Sequence, residues 1–251
     1  PGSHEAALLA AGAAVQAVEE VSGGRARNAF VLARPPGHHA ERDHAMGFCL
    51  FNNVAIAAEA SLRLGAERVL VVDFDVHHGN GTQNAFWTRR DVLYVSSHQF
   101  PFYPGTGAPD EVGVGAGAGY TVNCALPGAQ TDADLGAVFH ELVLPIATAY
   151  RPDLVLVSAG FDAHAADPLG GLRLSERGFA AMTTALAELA GGRLVCLLEG
   201  GYDLGATAAS VRACLEVLAG ARRDGFPNGA MTVLPAIARA RAALRPFWTL
   251  T

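Results

Sequence analysis

The stretch "RVLVVDFDVHHGNGTQ" (Arg68–Gln83) sets four consecutive apolar β-formers, Val69–Val72, directly before Asp73, Asp75, His77 and His78. A continuous apolar run this short reads as a strand buried on both faces, as in a parallel sheet. Five further runs have the same character: "FVLARP" from Phe30, "DVLYVSSH" from Asp91, "YTVNCALP" from Tyr120, "DLVLVSAGFD" from Asp153 and "GRLVCLLEGG" from Gly192. Between them lie Ala- and Leu-rich segments with helical spacing over 53–64, 132–150, 175–190 and 207–219. Thr131 in "TDAD" and Ser175 in "SERG" stand where helices start, Ser175 as an N-cap. Strands alternating with helices predict an α/β fold with a mostly parallel sheet between helical layers. No repeat, charge block or linker divides the chain, so residues 1–251 are read as one domain.

The totals bound the function. The 251 residues are 51% hydrophobic and 17% charged, enough for a large core, and the net charge is −6, with a pI near 5.8. An acidic chain is not built for direct nucleic-acid binding, and no apolar run is long enough to predict a membrane span. The four cysteines form no C-x-x-C pair. With no leader visible, they predict free buried thiols and a reducing, cytoplasmic setting. Homo-oligomerisation is left open. The Gly- and Pro-rich stretch Ser97–Gly119 is too long for an ordinary connection, and loops of that length are usually functional or disordered. The C-terminal "PAIARARAALRPFWTLT" reads as an amphipathic helix with an apolar tail, packed on the domain.

In open parallel sheets ligands bind beyond the carboxyl ends of the strands. At that edge five of the six runs deliver polar groups: His38-His39, Asp73 to His78, Ser96-Ser97-His98, Asp162 to His164, and Glu199 to Tyr202. Alternate residues of an extended chain share a side, so Asp73, Asp75 and His77 face one way. Asp75 and His77 suit one metal ion; the same residues also suit a solvated strand end. Asp162 ends a very apolar run, where a charge is costly unless paired or metal-bound. Two carboxylates and an imidazole suit zinc or another first-row ion. The tandem histidines suit a proton-transfer role near neutral pH or an exposed turn. Tyr202, after two glycines, suits an oxyanion donor or simple packing. His164, His44, His98 and His140 are read as structural or surface residues.

Together, "RPPGHHAERDHAMGFCLFNN", "VDFDVHHGNGTQ", "FYPGTG", "SAGFDAHAADPLGG" and "LEGGYDL" resemble the histone deacetylase family, which includes bacterial histone deacetylase-like amidohydrolases and acetylpolyamine amidohydrolases. The resemblance implies an arginase-like three-layer fold and zinc-dependent hydrolysis of acetyl-lysine or related amides. Carried over by motif, Asp75, His77 and Asp162 would hold Zn2+, with Fe2+ fitting the same ligands. His39 would be the general base, with His38 as its electrostatic partner, and Tyr202 would polarise the substrate carbonyl. Asp73 would orient His38 and, with Ser96 and Ser97, bind a structural K+ ion. Gly47, Phe48 and Tyr103 would line the acyl-lysine channel.

Asn80, where class I members carry Asp, looks class II-like and predicts a less basic His39. Leu169 stands at the rim position where a polyamine-selective relative carries Glu, which favours acyl-lysine or a generic amide over a polyamine. The alternatives are an acetylpolyamine or small-amide deacetylase and a non-catalytic acyl-lysine-binding protein. An arginase-like binuclear site is disfavoured, because Gly79 and His164 stand where bridging carboxylates would be needed. The family's usual N-terminal strand and rim loop, upstream of "PGSHEAALLAAGAAVQAV", are expected to be missing, exposing a sheet edge.

Overall fold

The structure is a computed structural model that describes residues 2–229 and 232–250. Its six strands are β1 Asn28–Val31, β2 Val69–Asp73, β3 Val92–Gln99, β4 Thr121–Leu126, β5 Leu154–Ala159 and β6 Leu194–Leu198. These are the six apolar runs of the sequence. They form one sheet in the order β1-β6-β5-β2-β3-β4, and every pair is parallel. Among the described residues the α-helices are α1 Ser3–Ser22, α2 Asn53–Arg63, α3 Asn80–Phe86, α4 Asp132–Val138, α5 Leu144–Tyr150, α6 Glu176–Ala187, α7 Leu204–Leu218 and α8 Leu234–Leu244.

The apolar strands look uniform in sequence, yet their side chains divide by the two-residue period. Val69, Val71, Leu154 and Leu156 pack with α1 and α2 on one face. Leu70, Val72, Val155 and Val157 pack with α4, α6 and α8 on the other. Both faces are therefore buried, which gives the three-layer arrangement. After β2 the chain moves to β3 and then β4; after β5 it moves the other way, to β6, which lies between β5 and the edge strand β1. Neighbouring β2 and β5 thus mark the point where the strand order reverses, and their carboxyl ends open a crevice there.

Local departures from the sequence expectation have physical causes. The segment 132–150 is not one α-helix: a π turn, Phe139–Val143, separates α4 from α5. Pro145 has no N–H to give the preceding turn, and a helix accommodates that by widening. Helix α7 begins earlier than its apolar spacing suggests, because the Asp203 carboxylate accepts from Ala206 N at 2.7 Å. Ser175 does occupy the N-cap of α6, but its hydroxyl donates to Asp132 (2.5 Å) rather than capping an amide. Helix α3 was invisible to periodicity; it is a single short segment of polar residues.

The long loop after β3 is ordered. His98 Nε2 donates to the Gly107 carbonyl at 2.9 Å. Glu111 accepts from Gly107 N (3.0 Å), Ala108 N (3.0 Å) and Gln83 Nε2 (2.6 Å). Helix α8 packs beside β4, and Trp248 Nε1 donates to the Gly119 carbonyl at 2.7 Å. Strand β1 forms the opposite edge. All four cysteines are free and buried. Among the described residues no helix is long and apolar enough to cross a membrane.

Asp134 tests how the C-terminal segment is held. Its carboxylate accepts from Thr131 N (2.9 Å), Thr131 Oγ1 (2.8 Å) and Thr232 N (2.8 Å). Burial pushes its pKa up, but the hydrogen bonds from Thr131 and Thr232 outweigh this and hold it below the ordinary value. Asp134→Ala is expected to cost about 1–2 kcal/mol in a urea titration near pH 7. A lowered folded pKa means the stabilisation is present above the unfolded aspartate pKa and fades as pH falls through the folded one. The gap between variant and wild type should therefore close on acidification.

Candidate active site

The carboxyl ends of β2 and β5 put two acids side by side. Phe74 and Val76 turn into the core, so Asp73, Asp75 and His77 face the other way. Asp75 and Asp162 are fully buried. His77 Nδ1 lies 3.1 Å from Asp75 Oδ1 and 3.1 Å from Asp162 Oδ2. One ligand atom from each of these three residues falls within 4.8 Å of the others. Backbone amides brace the pair: Gly200 N donates to Asp75 Oδ2 (2.8 Å), His77 N to Asp75 Oδ1 (2.9 Å), and Val76 N to Asp162 Oδ1 (2.9 Å). A side chain at Gly200 would collide with the Asp162 carboxylate, so the close approach requires glycine.

The electrostatics fit a cation. Burial, then the Asp75 charge, pushes Asp162 up to about 7. Burial also opposes charge on Asp75, but His38 and His77 hold it well below the carboxylate range. His77 is raised to about 10: burial works against its charge, and the Asp162 and Asp75 carboxylates win. Two buried carboxylates with oxygens within 4.8 Å of one another need a positive partner. Two oxygen donors and one imidazole nitrogen match zinc or a similar first-row ion with open positions.

The tandem histidines follow β1 and occupy different electrostatic environments. His38 Nδ1 donates to Asp73 Oδ2 at 3.0 Å, and its Nε2 lies 3.8 Å from Asp75 Oδ2. Burial opposes its charge, but Asp73, Asp75 and Glu199 prevail and raise its pKa well above normal. His39 pairs through Nδ1 with Asn80 Oδ1 at 2.9 Å. Burial, reinforced by the neighbouring His38 charge, lowers it to about 3. His38 is thus the cationic member of the pair and His39 the neutral one. Gly47, at φ 53°, lies against the His39 ring, where any side chain would clash.

A cavity of about 420 Å3 opens above these groups, lined by His39, Gly47, Phe48, His77, Tyr103, Leu169 and Tyr202. Phe48, Tyr103 and Leu169 are 69%, 45% and 43% exposed and form its apolar rim. Tyr202 is kept a protonated phenol, first by burial and then by the Asp75 and Asp162 charges, which raise its pKa well above normal. Arg34 sits over the Tyr202 ring at 5.6 Å and donates to the Gly201 carbonyl at 2.8 Å.

The structure brings together His38, His39, Asp75, His77, Asp162 and Tyr202, with Gly47, Phe48, Tyr103 and Leu169 around the opening. Asp73 and Ser96 are register partners in β2 and β3, set back from the cavity. Tyr94 OH donates to Asp73 Oδ2 at 3.1 Å, and Ser96 Oγ pairs with His98 Nδ1 at 2.9 Å. Ser97 is buried beside them in β3. His164 is not part of this site; its Nδ1 accepts from Ala166 N at 3.0 Å and its ring stacks on Phe179.

The histone deacetylase domain family matches residues 1–218. The chain belongs to the histone deacetylase family. It is 50% identical to histone deacetylase 15 of Arabidopsis thaliana over 222 residues, covering 87% of this chain and 40% of that protein. Histone deacetylase 5 of the same plant is 47% identical over 227 residues, covering 86% of this chain and 34% of that protein. The crystal structure of the HDA15 HD domain matches with a TM-score of 0.93 at 45% identity, over 97% of this chain and 68% of that one. The chain spans two-fifths or less of the length of these two curated relatives. Its arginase-like fold and class II-like motifs are those of the family.

Two supporting residues went unassigned in the sequence. Glu199, fully buried at the end of β6, accepts from Gly37 N (2.6 Å), His38 N (3.1 Å) and Ser158 Oγ (3.0 Å). Burial raises its pKa to about 7 against the opposing His38 charge. Its signal was present: a charge closing an apolar run, as at Asp162. Asp167 accepts from Leu169 N (2.9 Å), Tyr202 N (2.6 Å) and Asp203 N (3.1 Å), tying two walls of the cavity together. Its segment is part of the quoted motif, but no role for this residue was readable from it. Glu199→Ala would strand two buried amides, and a loss of about 2–4 kcal/mol in urea unfolding is expected. An unchanged midpoint would show that the histidine turn is held some other way.

Proposed function

We propose that this chain is the catalytic domain of a deacetylase, residues 1–251 forming one unit, that hydrolyses N-acetyl-lysine or a related acyl amide with the help of zinc. The observation that carries the reading is convergence. A three-residue N/O donor set, a neutral histidine, a cationic histidine and a protonated tyrosine meet at one cavity with an apolar rim. The acyl-lysine stem would lie between Phe48 and Tyr103, with Leu169 at the mouth. A neutral leucine there gives a second ammonium no counter-charge, so acyl-lysine in a peptide or protein fits better than a polyamine.

Asp75, His77 and Asp162 would hold the ion; Zn2+ is proposed, and Fe2+ is compatible with the same donors. When bound there, the ion would supply Lewis acidity toward the scissile carbonyl and the attacking water. His39, neutral and with Nε2 without a protein partner among the described residues, takes a proton from that water and returns it to the departing amine. His38, held cationic by Asp73, places positive charge next to the reacting groups and keeps His39 from being protonated prematurely. Tyr202 donates its phenol hydrogen to the carbonyl oxygen as negative charge develops there. Phe48 and Tyr103 exclude bulk water around the stem. A structural potassium ion beside Asp73, Ser96 and Ser97 belongs to the proposal; burial raises the Asp73 pKa, and a nearby cation would relieve that cost. The free, buried cysteines support a cytoplasmic setting.

The test is acetate release from an acetyl-lysine peptide by metal-stripped protein, with and without stoichiometric zinc. Zinc-dependent release is expected. Tyr202→Phe should lower kcat by roughly 10²–10³, and His39→Ala by roughly 10²–10⁴, both with zinc still bound. A folded, zinc-loaded wild type that releases acetate from neither the peptide nor a small acylated amine would overturn the enzymatic reading in favour of acyl-lysine binding without turnover.

A further inference from the structure

His39 can serve as a base only through a ring nitrogen that carries no proton, so the position of its single hydrogen matters. Its Nδ1 faces Asn80 Oδ1 at 2.9 Å. An asparagine amide can present either end, and the environment of its other atom decides which. Asn80 is buried at the start of α3. Its Nδ2 meets Glu41 Oε1 at 2.5 Å, Met46 Sδ at 3.4 Å and the His39 carbonyl at 3.5 Å. All three partners accept and none donates. The amide nitrogen must therefore point at Glu41, and the amide oxygen at His39. An oxygen that only accepts requires a hydrogen on His39 Nδ1. The lone pair is then left on Nε2.

Among the three partners only Glu41 is charged and at short range. It is itself held on both oxygens by Asn84 Nδ2, at 2.9 and 3.1 Å. Asn80 and Asn84 lie one helical turn apart on α3 and so share a face. The Glu41 backbone N–H donates to the His44 carbonyl at 3.1 Å, fixing the turn that carries the carboxylate. Glu41 thus clamps one end of an amide whose other end sets a histidine tautomer. Without it the amide is free to turn over and offer N–H to Nδ1, which would move the hydrogen to Nε2 and leave the base on the wrong nitrogen.

We infer that Glu41 is a positioning residue: by orienting the Asn80 amide it fixes the proton of His39 on Nδ1 and keeps Nε2 available as the base. The inference rests on the proposed role of His39 for its effect on turnover, but the tautomer itself can be observed without turnover. Charge is not the essential property; an acceptor oxygen at this place is.

The experiment is ¹⁵N NMR of the histidine rings of the whole chain, with the His39 signal assigned by its loss in His39→Gln. Wild type, Glu41→Gln and Glu41→Leu are compared, with Glu41→Ala as the second variant should the leucine form not fold. Wild type and Glu41→Gln are expected to show hydrogen on Nδ1; Glu41→Leu should show a substantial population with hydrogen on Nε2. In acetate release, Glu41→Leu should lose about 10- to 100-fold in kcat with KM little changed, and Glu41→Gln should recover most of it. A Glu41→Leu or Glu41→Ala protein that keeps the Nδ1–H tautomer overturns the inference, whatever its activity. So does an equal loss of kcat in Glu41→Gln and Glu41→Leu. If the tautomer shifts as expected but no variant, wild type included, releases acetate, the positioning role stands and the deacetylase reading fails.

Discussion

Two carboxylates, Asp75 and Asp162, are buried at contact distance from one imidazole nitrogen, and the architecture around them answers that electrostatic problem. Each belongs to a different strand end, and the strands are adjacent because the sheet order reverses between them. Parallel pairing in register sets how far each carboxylate reaches. Amides of Val76, His77 and Gly200 take up part of the negative charge, and glycine allows the β6 end to pass close by. What remains is a demand for a cation, which is the basis for reading this place as a metal centre.

The same demand shapes the histidines. Both come from one turn, and both rings are buried side by side, 4.0 Å apart between centroids. They differ in their partners. Asp73 gives His38 a full counter-charge, whereas Asn80 gives His39 only an amide oxygen. Two adjacent imidazoles do not both carry a positive charge at low cost, so this asymmetry divides them into one cationic and one neutral ring. The tandem pair is therefore one unit with two separate electrostatic tasks, and its division of labour is set by residues on β2 and α3 rather than by the histidines themselves.

Much of this was legible in the sequence. All six strands showed as apolar runs; burial on both faces removes most polar residues from the inner strands, and the half-buried edge strand β1 showed through Phe30 and Val31. Asp75, His77 and Asp162 were legible because they close such runs with groups that apolar surroundings do not tolerate alone, whereas Gly47, Phe48, Tyr103 and Leu169 were reached only through the family resemblance. Three kinds of information were not legible. Helix α3 is too short and polar to show a periodicity. The π turn between α4 and α5 reflects backbone geometry at Pro145 that residue spacing does not encode. Asp167 and Glu41 lie in loops within the quoted motifs, but what they do depends on which backbone amides and side chains the finished fold brings to them. Glu199 falls between these cases: its position at the end of β6 carried the same signal as Asp162, but its partners sit in the histidine turn that follows β1 and on β5, and appear only once the strand order is known.

The most direct test of the central claim is an X-ray absorption spectrum of the chain loaded with one equivalent of zinc. The account predicts one tightly held ion in a shell of oxygen and nitrogen at about 2.0–2.2 Å, with the scattering signature of a single imidazole and no sulfur. It also predicts loss of that ion in Asp162→Ala. A shell containing sulfur at about 2.3 Å, more than one imidazole, or a zinc site unaffected by Asp162→Ala would place the metal elsewhere and contradict the account.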